Sequence, residues 1–489
     1  MNRNVESHFA LNPTSIDINR SKFDRSSSVK TTFNVGQIIP FYVDEVLPGD
    51  TFKVKTSKVV RLQTLLTPIM DNIYLDTYYF FVPNRLVWNH WKEFMGENRD
   101  SAWIPSVEYS VPQLEAPSGG WNVGTIADYL GVPTGIDNIS VNALPFRAVA
   151  LIMDEWFRDE NLQQPLLITK DDTTVTGSNG SSFVSDLAKG GKPYLAGKYR
   201  DYFTSCLPSP QKGPDVEIPV GVQGKLPVVT LPDDVDPSLF SFTAMGTGTE
   251  PDIAWPQNYR IPQMTSSGAV YSDNVVHTQR GSKTPGTGGT LAITPDVVAD
   301  PATDRGSGNG WWTVPSNLWA IGNGNLVAAT INQLRLAFQI QKLYEKDARG
   351  GTRYIEILKS HFGVTSPDSR LQRPEYLGGN RIPININQIV QQSETDTTPQ
   401  GHVTGMSLTT DSHYDFERSF TEHGFVLGFC VARYDHTYQQ GLDRMFSRKD
   451  RFDYYWPVFA NIGEQAVLNK EIYLTGTSTD DEVFGYQEK

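Results

Sequence analysis

The strongest constraint on the fold is a continuous apolar run near the end of the chain, "HGFVLGFCVARY" (residues 423–434). A run without polar alternation is typical of a strand buried on both faces. Such a strand needs neighbours, and β-type runs occur early ("FNVGQIIPFYVDEVLPGDTFKVKTSKVVRL", "NIYLDTYYFFV") and late ("RIPININQIV", "HVTGMSL", "EIYLTG") in the chain. We expect late strands to pair with early ones, as in a Greek-key sandwich or a jelly roll.

The early runs are closely spaced. "LPGD" (residues 47–50) separates the first two, because Pro and Gly set the backbone angles of a turn. A third run follows shortly after. Three strands in quick succession favour antiparallel pairing, since parallel neighbours would require crossover connections.

Three segments have helical patterns. Residues 84–95 are bounded by Asn84 as a cap and by Gly96. "FRAVALIMDEWFRDE" carries one apolar stripe, formed by Val149, Ile152, Met153, Trp156 and Phe157. "TINQLRLAFQIQKLYEKDARGG" is the longest, and its apolar residues cover more than one face, so we expect burial on two sides. The sequence therefore predicts a mainly β chain with a few helices.

Charge and cysteine content restrict the environment of the protein. The net charge of −13 argues against an outer surface that binds nucleic acid or anionic membrane as a whole, although a local basic patch is compatible with it. Two cysteines do not make a disulfide framework. The first residues lack the apolar core of a secretion signal, and no stretch is long and apolar enough to span a bilayer. We expect folding in a cytoplasm.

Two regions differ from the rest of the chain. Residues 1–32 are polar, with several cations among Ser and Asn, and predict an extended arm that another surface must order. Residues 224–325 are rich in Gly, Pro, Thr, Ser and Asp but also contain Tyr and Trp. Long stretches without periodicity are uncommon inside a compact domain. We interpret this one as an ordered surface insertion in a domain that spans residues 33–489.

Motifs for catalysis and for metal or cofactor binding are absent. The chain has no phosphate-binding glycine loop, no G-x-S-x-G and no H-E-x-x-H or C-x-x-C spacing. His402, His413 and His423 lie among carboxylates, and a solvated loop explains them better than zinc, although a hard cation stays an alternative. Paired carboxylates of a glycosidase cannot be recognised in one sequence, so a β-sandwich glycoside hydrolase or carbohydrate-binding protein is the rival hypothesis.

One segment has the composition of a nucleic-acid contact. "DRMFSRKDRFDYYWP" (residues 443–457) interleaves Arg444, Arg448, Lys449 and Arg451 with five aromatic residues, including Trp456. Cations on the backbone and aromatic rings on the bases are how proteins hold single strands. Three aspartates dilute the charge, so an ion-paired loop beside core aromatics is the competing interpretation.

Several long stretches resemble the major capsid protein of the Microviridae, small single-stranded DNA phages, and within them the gokushoviruses. The stretches are "SHFALNPTSIDINRSKFDRS", "YYFFVPNRLVWNHWKEFMGEN", "YRDYFTSCLPSPQKGP", "YEKDARGGTRYIEILKSHFGVTSPDSRLQRPEYLGG" and "HGFVLGFCVARYDHTYQQGLDRMFSRKDRFDYYWP". They occur in the expected order and reach most of the chain outside residues 224–325.

The resemblance implies a single eight-stranded antiparallel jelly-roll barrel that assembles into a T=1 icosahedral shell around circular single-stranded DNA. It implies no enzyme activity and no cofactor, and it gives the insertion a role in threefold protrusions and host attachment. Internal scaffolding, DNA-binding and pilot proteins of the phage and a bacterial surface receptor are the implied partners. The virion would be assembled in the cytoplasm of a bacterial host.

The resemblance also offers an interpretation of the aromatic corner "FFVPNRLVWNHWKEFMGEN". Trp91 shares a helical stripe with Val87, Phe94 and Met95. For Trp91, burial in the core of its own domain is therefore as well supported as a contact with another subunit. Trp88 lies on a different helical face. The resemblance implies a contact between subunits for that second face, and Trp88 and Trp91 are the candidate contact residues.

Overall fold

A computed structural model describes residues 19–63, 65, 69–98, 107–216, 331–460 and 463–488, and the backbone of five short strands between residues 225 and 321. The chain divides into two compact units, residues 1–214 with 341–489 and residues 215–340.

Most strands belong to the first unit. Before the second unit they are β1 (Gln37–Val46), β2 (Thr51–Val60), β3 (Ile73–Pro83), β4 (Gln113–Glu115), β5 (Ser140–Asn142), β6 (Val175–Thr176) and β7 (Tyr194–Leu195). The second unit contains β8 (Lys225–Pro227), β9 (Gln263–Met264), β10 (Val270–Tyr271), β11 (Trp312–Thr313) and β12 (Trp319–Ile321). After it come β13 (Glu375–Pro383), β14 (Ile386–Val390), β15 (Val403–Ser407), β16 (Thr409–Ser419), β17 (Gly424–Tyr434), β18 (Glu464–Leu468) and β19 (Val483–Glu488).

Helices are shorter, apart from one. They are α1 (Asn84–Val87), α2 (Trp91–Phe94), α3 (Ile126–Tyr129), α4 (Leu144–Ile152), α5 (Ile331–Gly350), α6 (Tyr354–Phe362), α7 (Arg444–Ser447) and α8 (Asn469–Ile472). A π-helical turn, Met153–Phe157, extends α4. Single 3₁₀ turns cover Leu187–Lys189, Arg451–Asp453, Pro457–Phe459 and Ser478–Asp481. The mainly antiparallel β framework with few helices is as the sequence predicts.

A five-stranded antiparallel sheet in the order β13-β3-β17-β1-β7 forms the centre of the first unit. β17 is buried along nine consecutive residues, which confirms the prediction from its apolar run. β1 and β3, from the start of the chain, flank β17 on its two sides. The expected pairing of late with early strands is therefore confirmed.

The prediction that the three early strands pair with one another is wrong. β2 pairs with β16, whereas β1 and β3 both pair with β17. The residues of β2 alternate between exposed and half-buried, so β2 is suited to an outer layer with one face in water, while β3 is buried on both faces. Gly49, with a left-handed φ of +87°, turns the chain out of β1 and into that layer.

Further strand pairs occur in both units. β14 pairs with β15 and β18 with β19, both antiparallel, and β4 pairs with β5 and, in parallel, with β6. In the second unit, β9 pairs with β10 and β11, and β8 pairs with β12. No candidate for a membrane-spanning helix occurs among the described residues.

The core lies on both faces of the central sheet, because successive strand residues point to opposite sides. Phe80 and Phe429 join α4 residues such as Val149 in one cluster. Tyr79 and Val426 form a second cluster against β2 and β16, which contribute half-buried apolar residues. Val149, Ile152 and Met153 of the predicted stripe are fully buried, but burial of α4 is not confined to one stripe, because every residue from Phe146 to Ile152 is buried, while Trp156 and Phe157 are half-buried.

Two helix predictions require correction. Residues 84–95 do not form one helix, because the backbone of Trp88 is extended and separates α1 from α2, and Asn84 provides no side-chain cap. α5 has the predicted length, but among its described residues only Ala348 is buried. Leu336, Phe338 and Leu343 are exposed, so the expected burial on two sides does not occur within the chain.

The described part of the N-terminal arm, residues 19–32, has no helix or strand and is exposed. The guanidinium group of Arg25 lies 2.8 Å from the Asp44 carboxylate, and Arg20 donates to the carbonyl oxygen of Gly49. Both contacts fix this part of the arm to the β1–β2 region of its own chain.

Candidate nucleic-acid interface and subunit contacts

The predicted nucleic-acid segment, residues 443–457, follows β17. Together with Val458 and Phe459, which complete its last 3₁₀ turn, we call it the aromatic segment. α7 begins it and two 3₁₀ turns end it. The Asp453 carboxylate accepts hydrogen bonds from the backbone amides of Lys449 (2.8 Å) and Asp450 (2.9 Å). These amides hold the pKa of Asp453 below its usual value, so the carboxylate stays charged and keeps the turn closed.

The aromatic segment exposes an unusual amount of apolar surface. Seven of its large side chains are exposed, namely Met445, Phe446, Phe452, Tyr454, Tyr455, Trp456 and Val458. Single exposed apolar side chains need no explanation, but a group of this size on one short stretch marks an interaction surface. The alternative of core aromatics beside an ion-paired loop is therefore wrong for these rings.

Two arginines lie against the exposed rings. The guanidinium carbon of Arg451 is 5.5 Å from the ring centre of Phe452 and 5.3 Å from that of Trp456. The Trp456 indole donates to the Arg451 carbonyl oxygen at 2.9 Å, which fixes this arrangement. Arg448 lies 5.1 Å from the ring centre of Tyr454. Cations and rings of this kind together can bind bases by stacking and a phosphate by charge.

Arg444 does not belong to this group. Its guanidinium donates to the carbonyl oxygen of Ala466 (2.7 Å) and to the Glu471 carboxylate (2.8 Å), and Glu471 is buried. A cation engaged with a buried carboxylate stabilises the fold and is not available to a ligand. The structure thus places Arg451 beside Trp456 and Arg448 beside Tyr454, leaves Lys449 exposed, and engages the half-buried Arg444 with Glu471.

The aromatic corner is divided between core and surface. Trp88 has no exposed area, and its indole donates to the Asp172 carboxylate at 2.6 Å. Trp91 is half-buried, with its ring centre 6.1 Å from that of Trp88 and 5.6 Å from that of His423. Trp88 is therefore not available to a neighbouring subunit, and a contact of this corner can be made by Trp91 together with Phe94 and Met95, which are exposed.

The histidine-rich region shows no metal chemistry. Nearby carboxylates pair with cations instead, since Asp411 lies 3.4 Å from Lys58 and Glu417 3.0 Å from Lys53. Within the part of the chain that the structure describes, no group of three His, Cys, Asp or Glu residues has the geometry to hold a metal ion.

Sequence reasoning missed a buried ionic cluster in the central sheet. Asp76 of β3 is contacted by Arg381 of β13 and Arg433 of β17, and by the hydroxyls of Tyr199 and Tyr78. The signal was present, because a carboxylate interrupts the otherwise apolar and aromatic strand "NIYLDTYYFFV". Because buried charges require partners, a cation from elsewhere in the chain could have been expected beside this carboxylate.

Comparison with known proteins gives the family. Residues 12–489 match the family model described as "Capsid protein (F protein)". Capsid protein VP1 of Bdellovibrio phage phiMH2K is 42% identical over 490 residues, which cover 100% of this chain and 82% of the relative. Capsid protein VP1 of Chlamydia phage 1 is 41% identical, with coverages of 99% and 84%. Capsid protein VP1 of Spiroplasma virus 4 is also 41% identical, with coverages of 96% and 80%.

These relatives are structural proteins, which sets aside the rival hypothesis of a carbohydrate-binding protein or glycoside hydrolase. They confirm the resemblance that the sequence motifs indicate. The chain belongs to the phage capsid protein (F protein) family and is a structural subunit of a virion.

Proposed function

We propose that this capsid subunit builds a T=1 icosahedral shell around a circular single-stranded DNA genome. The observation that carries the assembly is the large apolar area that the folded chain leaves exposed, above all on α5 and α6. At ~25 cal/mol per Å² of apolar area removed from water, contacts above ~2,000 Å² give permanent association. Closed point symmetry limits the size of the product.

The strand pairing supports an eight-stranded jelly roll as the framework. β1, the first strand, pairs with β17, and β2, the second strand, pairs with β16, the strand that precedes β17 in the chain. A chain that folds back on itself as a long double ribbon produces this nested order, which is the order of a jelly roll.

Electron microscopy and sedimentation velocity of the full chain, expressed with the other capsid genes of its phage, test the assembly. Closed shells of one size are the expected result. A chain that stays monomeric in that setting refutes the proposal.

We propose further that the aromatic segment contacts the genome through Arg448, Lys449, Arg451 and Trp456. Its three available cations are balanced by Asp443, Asp450 and Asp453, so the segment has almost no net charge to attract phosphate. Base stacking, worth about 1–3 kcal/mol per base, must then supply most of the affinity. Binding should accordingly depend less on salt than for a basic groove, whose affinity falls steeply between 50 and 200 mM salt.

Alanine variants at Arg451 and Trp456 test this contact in assembled particles. Both are expected to lower genome density in cryo-electron microscopy maps and the ratio of absorbance at 260 to 280 nm. The control is Arg200→Ala, which removes an exposed arginine outside the segment that pairs with Asp159 at 3.5 Å. Unchanged DNA content in the first two variants refutes the assignment.

The insertion at residues 224–325 is proposed to form threefold protrusions that attach to a bacterial host receptor. Apart from the backbone of its short strands, it lies outside the described residues. Composition supports the proposal, since surface excursions tolerate changes of length and carry function. Deletion of the insertion should leave soluble protein and abolish adsorption to host cells, whereas insoluble protein would place the insertion within the fold.

The remaining partners follow from the same proposal. Internal scaffolding, DNA-binding and pilot proteins of the phage would guide assembly in the bacterial cytoplasm, and the arm of residues 1–32 would reach a neighbouring subunit or the genome. The subunit contact proposed for the aromatic corner is carried by Trp91, because Trp88 is buried.

A further inference from the structure

The last turns of α5 and the whole of α6 form a rigid projecting unit, residues 341–364, which we call the helical hairpin. His361 Nε2 and Asp347 Oδ1 lie 2.8 Å apart and join the two helices. A Cβ atom at Gly350 would lie only 2.6 Å from the Cβ of Ser360, so the helices touch at this position. Arg353 donates to the carbonyl oxygens of residues 154 and 158, both at 2.8 Å, and anchors the hairpin to the body of its unit.

This rigid unit carries apolar side chains that the chain does not cover. Tyr354, Leu358 and Phe362 lie on one face of α6 at intervals of four residues. Phe362 is 72% exposed, and Val364 beyond it and Leu343 on α5 are exposed as well. No residue of α6 is buried, although the helix has an apolar stripe that would normally face a core.

Lysines surround this apolar area. Lys342, Lys346 and Lys359 are exposed, and none of them makes an ion pair with a described residue. The carboxylates of the hairpin are engaged within it: Glu345 lies 4.0 Å from Arg349, Glu356 pairs with Arg353, and Asp347 is hydrogen-bonded to His361. The hairpin therefore presents an apolar surface together with three lysines that make no ion pair with a described residue.

We propose that the helical hairpin is a contact surface for a second copy of this chain, which seats an acidic and apolar surface against it. The chain has a net charge of −13, so a neighbouring copy supplies the complementary sign. The surface combines aliphatic side chains, Leu343, Leu358 and Val364, with the rings of Tyr354 and Phe362. A mixed aliphatic and aromatic surface is typical of a contact between proteins, whereas single-stranded nucleic acid is held mainly by stacked rings, which favours a protein over the genome as the partner. The inference rests on the proposed shell, whose assembly places copies side by side.

Photo-crosslinking identifies the partner directly. Benzoylphenylalanine is placed at position 362 of the full chain, particles are assembled with the other capsid genes, and the products are separated after irradiation. A product of twice the chain mass, absent from dissociated subunits, is expected. A crosslink to DNA, a crosslink to another phage protein or the absence of any crosslink in closed shells overturns the inference.

Charge reversal tests the lysines. The triple variant Lys342→Glu, Lys346→Glu, Lys359→Glu should keep the wild-type melting temperature, because these lysines make no contact that holds the fold, and should lower the yield of shells about tenfold or more, since like charges then face each other. The matched control, Lys55→Glu, Lys192→Glu, Lys198→Glu, reverses three exposed lysines that lie outside both the hairpin and the N-terminal arm. Normal shell yield in the hairpin variant overturns this inference but leaves the proposed shell intact. Failure of the wild-type chain to form shells refutes the shell itself, and the inference with it.

Discussion

Replacement of Asp76 tests how the central sheet is held together. The Asp76 side chain is 2% exposed and lies 2.7 Å from Arg381 Nε. It also pairs with Arg433 and accepts hydrogen bonds from the hydroxyls of Tyr199 (2.9 Å) and Tyr78 (3.1 Å). The ring of Tyr199 lies between the two guanidinium groups, each 4.3 Å from its centre. One carboxylate thus connects β3, β13 and β17.

The expected loss follows from the burial of each partner. Removal of one member of a buried pair costs about 3–5 kcal/mol, because the other charge is left without compensation. The Arg433 side chain is only 16% exposed, so its charge would stay buried without a partner. Arg381 is 52% exposed, so water would hydrate its charge. We therefore expect Asp76→Ala to lower the free energy of unfolding by about 3 kcal/mol. Arg381→Ala should lower it by about 1 kcal/mol or less, as for exposed pairs.

The same carboxylate should make stability depend on pH. Burial raises the pKa of Asp76, but the hydrogen bonds from Arg381 and Arg433 outweigh burial and hold the pKa below its usual value. A lowered folded-state pKa stabilises the fold above the unfolded value of about 3.9, and the stabilisation is lost as the pH falls through the folded value. The difference in stability between the wild type and Asp76→Asn should therefore shrink as the pH falls below about 4.

Urea unfolding of the unassembled chain, followed by circular dichroism at several pH values, measures both effects. The control is Asp481→Ala, which removes an exposed carboxylate 2.7 Å from Lys470 and should change stability by less than about 1 kcal/mol. The reasoning fails if Asp76→Ala is no more harmful than this control. It also fails if the gap between wild type and Asp76→Asn is the same at pH 3 as at pH 7.

Three further predictions concern single side chains. Trp88→Ala should cost about 3–5 kcal/mol in thermal or urea unfolding, because it empties a fully buried site, and a loss below 1 kcal/mol would contradict that burial. Burial raises the pKa of the Cys430 thiol to about 12, so at pH 8 only the half-buried Cys206 should react with a thiol reagent in the folded chain, and equal rates for both would contradict this. Arg444→Ala should lower the melting temperature, because it leaves the buried Glu471 unpaired, and should not change DNA content, whereas DNA loss at wild-type stability would return Arg444 to the genome contact.

The sequence predicted local features well where one periodicity dominated. β17 is apolar at nearly every position and is buried as that pattern predicts. For α4 the pattern predicts the helix correctly, but the helix is buried on all faces and not along one stripe. The pairing partner of each strand was harder to predict from the sequence. β1 and β2 are separated by a tight turn, yet they pair with different strands far along the chain. Whether a strand is buried on one face or on both faces decides which layer of the fold it joins.

The candidate site shows the same division. Exposure of the aromatic segment could not be read from its composition, since aromatic residues are as common in cores as on binding surfaces. Arg444 and Arg448 have similar neighbours in the sequence. Arg444 differs because the chain later comes back past it and places the Glu471 carboxylate within hydrogen-bond distance. A continuous helix over residues 84–95 placed Trp88 on a face of its own, which the resemblance made a candidate contact, whereas the backbone is extended at Trp88 and its side chain is fully buried.

Charge raises a general problem for the assembly of this chain, because every copy carries a net charge of −13 and copies repel one another. Repulsion at long range is screened over about 10 Å at 0.1 M salt, whereas ion pairs within a contact are screened much less. Shell formation should therefore increase with salt at first and decrease at higher salt, when contacts at the helical hairpin weaken. Replacement of Lys342, Lys346 and Lys359 by Gln makes each copy more negative and removes those contacts, so the salt optimum should move upward and the maximal rate should fall. Light scattering against NaCl concentration measures both quantities, and an unchanged optimum would show that these lysines do not offset the repulsion between copies.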